Sequence, residues 1–141
     1  IADYDNATYY NDDVLNRIIQ LFKNRNAVMV YFADHGEQIY DCQDFFGRTH
    51  EGLLDDRVLK YEYCVPFMIW CSDKFKESNE ALIERIKKAV RKPLSLDNVC
   101  HLFFCLGHVN TPLYKSERDV LDSSYHCPPR IVNDDFLLNE K

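Results

Sequence analysis

With 141 residues, 46% of them hydrophobic and 28% charged, the chain has the length of one domain and the composition of a folded globular protein. Its formal net charge of −6 argues against a phosphate-backbone partner, so no nucleic acid is expected. No apolar run approaches the roughly 20 residues that a membrane helix needs.

The opening stretch, "IADYDNATYYND", lacks an initiator methionine and a signal peptide and reads as the interior of a longer polypeptide. From Asn11 to Asn24, Val14, Leu15, Ile18, Ile19, Leu21 and Phe22 fall at helical spacing, with Asn11 or Asp12 available as a cap. After the break "NRN", Ala27 to Ala33 is a continuous apolar run and predicts a buried strand. This order of helix, short turn and apolar strand is typical of α/β proteins with a mostly parallel sheet. Gln38 to Tyr61 shows no periodicity, carries Gly47 and Gly52, and predicts a long loop, which tends to be functional or mobile.

Tyr63 to Ser72, "YCVPFMIWCS", predicts a second buried strand with Pro66 near its start. A helix over Asn79 to Lys92 follows, with Leu82, Ile83, Ile86, Ala89 and Val90 on one side. Its run of Arg85, Lys87, Lys88, Arg91 and Lys92 reads as a solvated face, with a phosphate or lipid-headgroup patch as the alternative. Ser95 is placed to cap "LDNVCHLFFCLG", whose apolar face is Leu96, Val99, Leu102, Phe103 and Leu106, with Gly107 as the C′ residue. The tail from Val109 offers one short strand, around Arg130 to Val132. Two strands and three helices make a thin sheet, whose unpaired edge is expected to favour self-association.

Six cysteines are too few for a disulfide scaffold, and no spacing suggests a structural zinc site. Cys71, Cys100 and Cys105 sit in apolar stretches and read as small core residues, while at least one disulfide stays open.

The chemistry concentrates at "YFADHGE", residues 31–37. Ligands of open α/β sheets bind outside the carboxyl ends of the strands, and Asp34 and His35 fall there. A carboxylate and a neutral imidazole both suit zinc. Neighbours in a regular strand point to opposite faces, so the chain must leave strand geometry to bring both to one ion, and Gly36 permits such a turn. Glu37 is then a second-shell group or a helix-start acid. The same letters also fit a simple turn in which Asp34 bonds its own backbone.

Taken as an ordered set, "YDNATYYND", "YFADHGE", "THEG", "CVPFMIWCS" and "SLDNVCHLFFCLG" resemble the C-terminal half of the catalytic domain of phosphoethanolamine transferases, in the alkaline phosphatase/sulfatase superfamily. The resemblance covers nearly the whole chain. It implies a single domain over 1–141: a partial alkaline-phosphatase-like sheet with flanking helices, part of a larger three-layer α/β/α catalytic domain. It further implies a zinc enzyme of the bacterial inner membrane, its catalytic domain in the periplasm. Such an enzyme moves phosphoethanolamine from a phospholipid donor, through a threonine, to a lipid A or glycan acceptor. Asp34 and His35 match the family's zinc ligands, and His50 matches a histidine that serves a second metal or the phosphate. His101 matches a helix position of the family, although its neighbours suit a structural histidine. Arg48 reads as a solvated loop residue or a phosphate contact. Thr8 and Thr49 match no nucleophile motif, so the nucleophile and the remaining ligands are expected upstream in the same polypeptide. Other sulfatase-superfamily hydrolases, phosphoglycerol transferases and a non-catalytic assembly domain remain as alternatives.

Overall fold

Helix α1 (Ala2–Phe22) starts well before the predicted cap, so Asn11 and Asp12 lie in its interior and no side chain caps it. Asn11 has another use: its amide donates to the Tyr31 hydroxyl at 2.8 Å, tying α1 to strand β1 (Val28–Phe32). The computed structural model describes residues 1–42, 44–48, 55–132 and 136–137. The chain forms two compact units, Ile1–Ser78 and Asn79–Lys141.

In the first unit β1 pairs with β4 (Phe67–Cys71), in the register Val28↔Cys71 to Phe32↔Phe67. The pairing is antiparallel, which differs from the parallel arrangement that the apolar runs suggest. Continuous apolar character reports burial, and either pairing satisfies it. All five β1 residues are half-buried, and the Phe32 and Phe67 rings stack with centroids 5.5 Å apart.

The predicted loop holds structure of its own. Strands β2 (Gln38–Ile39) and β3 (Phe46–Gly47) form a short antiparallel hairpin. Tyr40, at positive φ, opens its turn, and Gly47, also at positive φ, stands opposite Gln38 at the other end. Helix α2 (Asp56–Tyr63) follows. Asp55 caps it, accepting from the Arg57 and Val58 amides at 2.9 Å, and the Val58 bond foremost holds its carboxyl below the usual carboxylate range. Its inward face is Val58, Leu59 and Glu62, spaced as one helical stripe. Fully burying Val58 and Leu59 contributes roughly 1.5–3 kcal/mol each. Helix α3 (Asp73–Ser78) ends the unit, with Ser72 Oγ accepting from the Phe75 amide at 3.1 Å.

The second unit contains α4 (Glu80–Ala89), a 3₁₀ turn (Leu96–Asn98) and α5 (Val99–Leu106). Leu82, Ala89, Leu102, Leu106, Val120 and Leu121 are its buried apolar residues. Val90 and Phe103, expected on apolar faces, are exposed, and so is Cys100. Ser95 precedes the 3₁₀ turn without a side-chain cap bond. Gly107 has φ −87°, and the left-handed residue is His108 at φ 52°. The amides of Gly107, His108 and Val109 satisfy carbonyls of the last turn. The tail strand appears as β5 (Ile131–Val132), paired antiparallel with β6 (Phe136–Leu137). All six cysteines are free thiols.

Candidate metal centre

Strand β1 stops at Phe32, and the backbone bends at Asp34. One carboxylate oxygen of Asp34, Oδ1, accepts from the His35 amide at 3.2 Å, so the turn-forming role is real. The other oxygen, Oδ2, lies 4.0 Å from His35 Nε2. That separation is too long for a hydrogen bond. Tetrahedral zinc with bonds of roughly 2.0–2.2 Å holds its donors about 3.4 Å apart, so the two atoms are near enough to share an ion once they close by roughly half an ångström. His35 Nδ1 is 3.0 Å from the Gly36 carbonyl. A carbonyl only accepts, so the neutral ring carries its proton on Nδ1 and presents the Nε2 lone pair outward. The Asp34 side chain is 90% exposed and that of His35 38%, which leaves both donors accessible.

Gly36 is required here for a reason other than the one expected. It has no positive φ. A Cβ at this position would collide with the Tyr61 carbonyl oxygen, and the Gly36 amide donates to the Glu62 carbonyl at 2.8 Å. Only a residue without a side chain lets the Asp34–His35 loop lie directly against the end of α2.

Two further residues, absent from the sequence-based site, buttress the loop. Gln38 and Glu62 are 0% and 1% exposed, and Gln38 Nε2 donates to Glu62 Oε1 at 3.0 Å. The signal for Glu62 was the helical stripe Val58, Leu59, Glu62, hidden because the segment reads as a loop. Glu37 is half-buried, and among the described residues no hydrogen bond ties it to Asp34 or His35. Arg48 is partly buried with its guanidinium 5.7 Å from the Tyr63 ring centroid, so it is not a freely solvated side chain. His50 and Thr49 lie outside the described residues. Thr8 is exposed on α1. Among the described residues no group of three or more His, Cys, Asp or Glu is placed to hold a metal.

In the second unit His101 has the structural role its surroundings suggest. It is 5% exposed, its Nδ1 accepts from the Lys115 amide at 3.3 Å, and its ring meets Phe104 and Tyr114 edge-on. Two members of the basic run also point inward. Arg85 donates to the Leu121 carbonyl at 2.9 Å and pairs with buried Asp119 at 3.4 Å. Lys92 Nζ donates to the Val120 and Asp122 carbonyls at 3.1 Å. Asp119 also accepts from the Tyr114 hydroxyl at 2.8 Å. Burial, reinforced by Asp119, raises the Tyr114 phenol and pushes the Cys105 thiol up to about 11. These groups form a structural network with an inert thiol.

Known proteins share this arrangement of elements. The sulfatase family profile matches residues 1–104. The chain belongs to the sulfatase family. Within it the similarity is to phosphoethanolamine transferases. The chain is 30% identical over 139 residues to phosphoethanolamine transferase EptC of Escherichia coli K12, which is 97% of this chain and 23% of that protein. Over 90 residues it is 31% identical to the Kdo(2)-lipid A phosphoethanolamine 7''-transferase of the same strain, 62% of this chain and 15% of that protein. It thus spans about a quarter or less of the curated relatives it matches. The crystal structure of the C-terminal periplasmic domain of EptC from E. coli superposes with a TM-score of 0.74 at 30% identity, over 91% of this chain and 35% of that one. Its zinc complex gives 0.73 at 29%, over 90% and 34%. The mixed α/β fold is that of part of this periplasmic domain. No described helix is long and apolar enough to cross a membrane.

Proposed function

We propose that the chain is the C-terminal part of the catalytic domain of a zinc-dependent phosphoethanolamine transferase, both units belonging to that one domain. The observation that carries this is the pair of accessible donors side by side at the end of β1, Asp34 Oδ2 and His35 Nε2, 4.0 Å apart. A relative of the same fold crystallised with zinc supports the metal. When bound, zinc would polarise the phosphoryl oxygens and favour the deprotonated form of an attacking hydroxyl.

The chain's own residues hold and orient. Asp34 supplies negative charge while its second oxygen stays committed to the backbone. His35 keeps its Nδ1 proton on the Gly36 carbonyl, which fixes the ring and directs Nε2 to the metal. His50 would complete the arrangement at a second metal or the phosphate, with Glu37 supporting from behind. The threonine nucleophile lies in the polypeptide preceding Ile1. The donor is a phospholipid bearing phosphoethanolamine, the acceptor lipid A or a glycan, and the site faces the periplasm from an inner-membrane enzyme. The relatives' names support phosphoethanolamine as the transferred group and, for one of them, lipid A as the acceptor, and the periplasmic origin of the matched structure supports the location.

The test uses the complete enzyme with phosphatidylethanolamine vesicles and lipid A. Asp34→Ala and His35→Ala are each expected to release zinc and lower transfer by more than about 100-fold, beyond the loss typical of a merely supporting residue. Full zinc content and transfer in either variant would falsify the assignment. Cleavage of a sulfate ester, with no transfer to lipid A, would move the reading to a sulfatase.

A further inference from the structure

We infer that Glu62 is a positioning residue for the Asp34–His35 site, acting through Gln38 and Gly36. The inference rests on the proposed metal-binding role of that pair. Burying a carboxylate is costly, and a helix stripe beside Val58 and Leu59 would hold more simply with a leucine. Glu62 is nevertheless 1% exposed, and its two ends grip the metal loop at two points. Its carboxylate accepts from Gln38 Nε2 at 3.0 Å, and its backbone carbonyl accepts from the Gly36 amide at 2.8 Å. Between those two points lies only Glu37. The Gly36 carbonyl in turn receives His35 Nδ1 at 3.0 Å. The connection therefore runs from Glu62 to Gly36 and Gln38, and from Gly36 to the imidazole that offers Nε2. Gln38 also stands opposite Gly47 in the hairpin, so its fixed side chain locks β2 and β3 to the end of α2. Without the carboxylate, Gln38 loses an acceptor and one of the loop's two anchors loosens.

The test measures zinc affinity of the complete enzyme by competition with a chromophoric chelator, alongside the visible spectrum of the cobalt-substituted protein. Glu62→Leu is expected to weaken zinc about 10–100-fold and to alter the cobalt bands, the scale seen when a group behind a ligand is lost. Glu62→Gln keeps an oxygen acceptor for Gln38 and should return to within a few-fold of the parent, with the parent spectrum. If Glu62→Leu does not fold, Gln38→Leu carries the test with the same expected loss. Zinc affinity and cobalt spectrum unchanged in the folded leucine variant overturn the inference, whatever its thermal stability. Asp34→Ala is measured in parallel. Retained affinity there defeats the metal assignment itself, whereas loss there with none in the leucine variants defeats only the role of Glu62.

Discussion

Gly36 shows how one residue can be necessary for a reason its letter does not reveal. In "DHGE" a glycine suggests a turn with unusual φ, yet the backbone is ordinary and the constraint is space: the Tyr61 carbonyl occupies the position of a Cβ. Contact with a segment so much later in the chain is invisible to a local reading. Asp34 and His35 could be nominated from the sequence because an apolar run that ends in two potential metal ligands is itself a signal, and the proposed metal role is what the experiments test. Gly36→Ala should therefore force α2 and the Asp34–His35 loop apart. We expect a loss of roughly 1–3 kcal/mol, the scale of overpacking, together with weakened zinc binding. A urea unfolding curve of the alanine variant that coincides with the parent's would show that the close approach relaxes at little cost.

Among the elements, α1, β1, β4, α4 and α5 follow from apolar periodicity, with boundaries shifted by a few residues except at the start of α1. Helix α2 was hidden because it is short and only Val58 and Leu59 of its buried stripe are apolar. Its start was readable in retrospect, since Asp55 stands just ahead of Val58 and accepts its amide. The basic run of α4 was half legible. Lys87 pairs with Glu84 on an exposed face, whereas Arg85 and Lys92 reach carbonyls and carboxylates far along the chain, between Asp119 and Asp122. Charge alone does not reveal which members of such a run turn inward. Asp119 is the centre of that arrangement, and Asp119→Ala would strand the Tyr114 hydroxyl and the Leu121 amide and take one carboxylate partner from Arg85. Because Arg85 remains 40% exposed, water offsets part of the loss, and about 2–3 kcal/mol is expected. Equilibrium urea denaturation measures it, and a midpoint and slope unchanged from the parent would mean the network contributes little.

At the scale of the molecule, the family was legible because several short motifs occur in the right order, although each alone is weak. The pairing direction of β1 and β4 was not, since burial patterns do not encode it. The central claim is that Asp34 and His35 bind one metal ion through Oδ2 and Nε2. The most direct measurement is an anomalous difference map, at the zinc absorption edge, from crystals of the complete catalytic domain grown with zinc. We predict a peak within about 2.0–2.2 Å of both atoms, with His35 Nδ1 still facing the Gly36 carbonyl. A peak bound through Nδ1, or zinc elsewhere with Asp34 and His35 unligated, would contradict that claim.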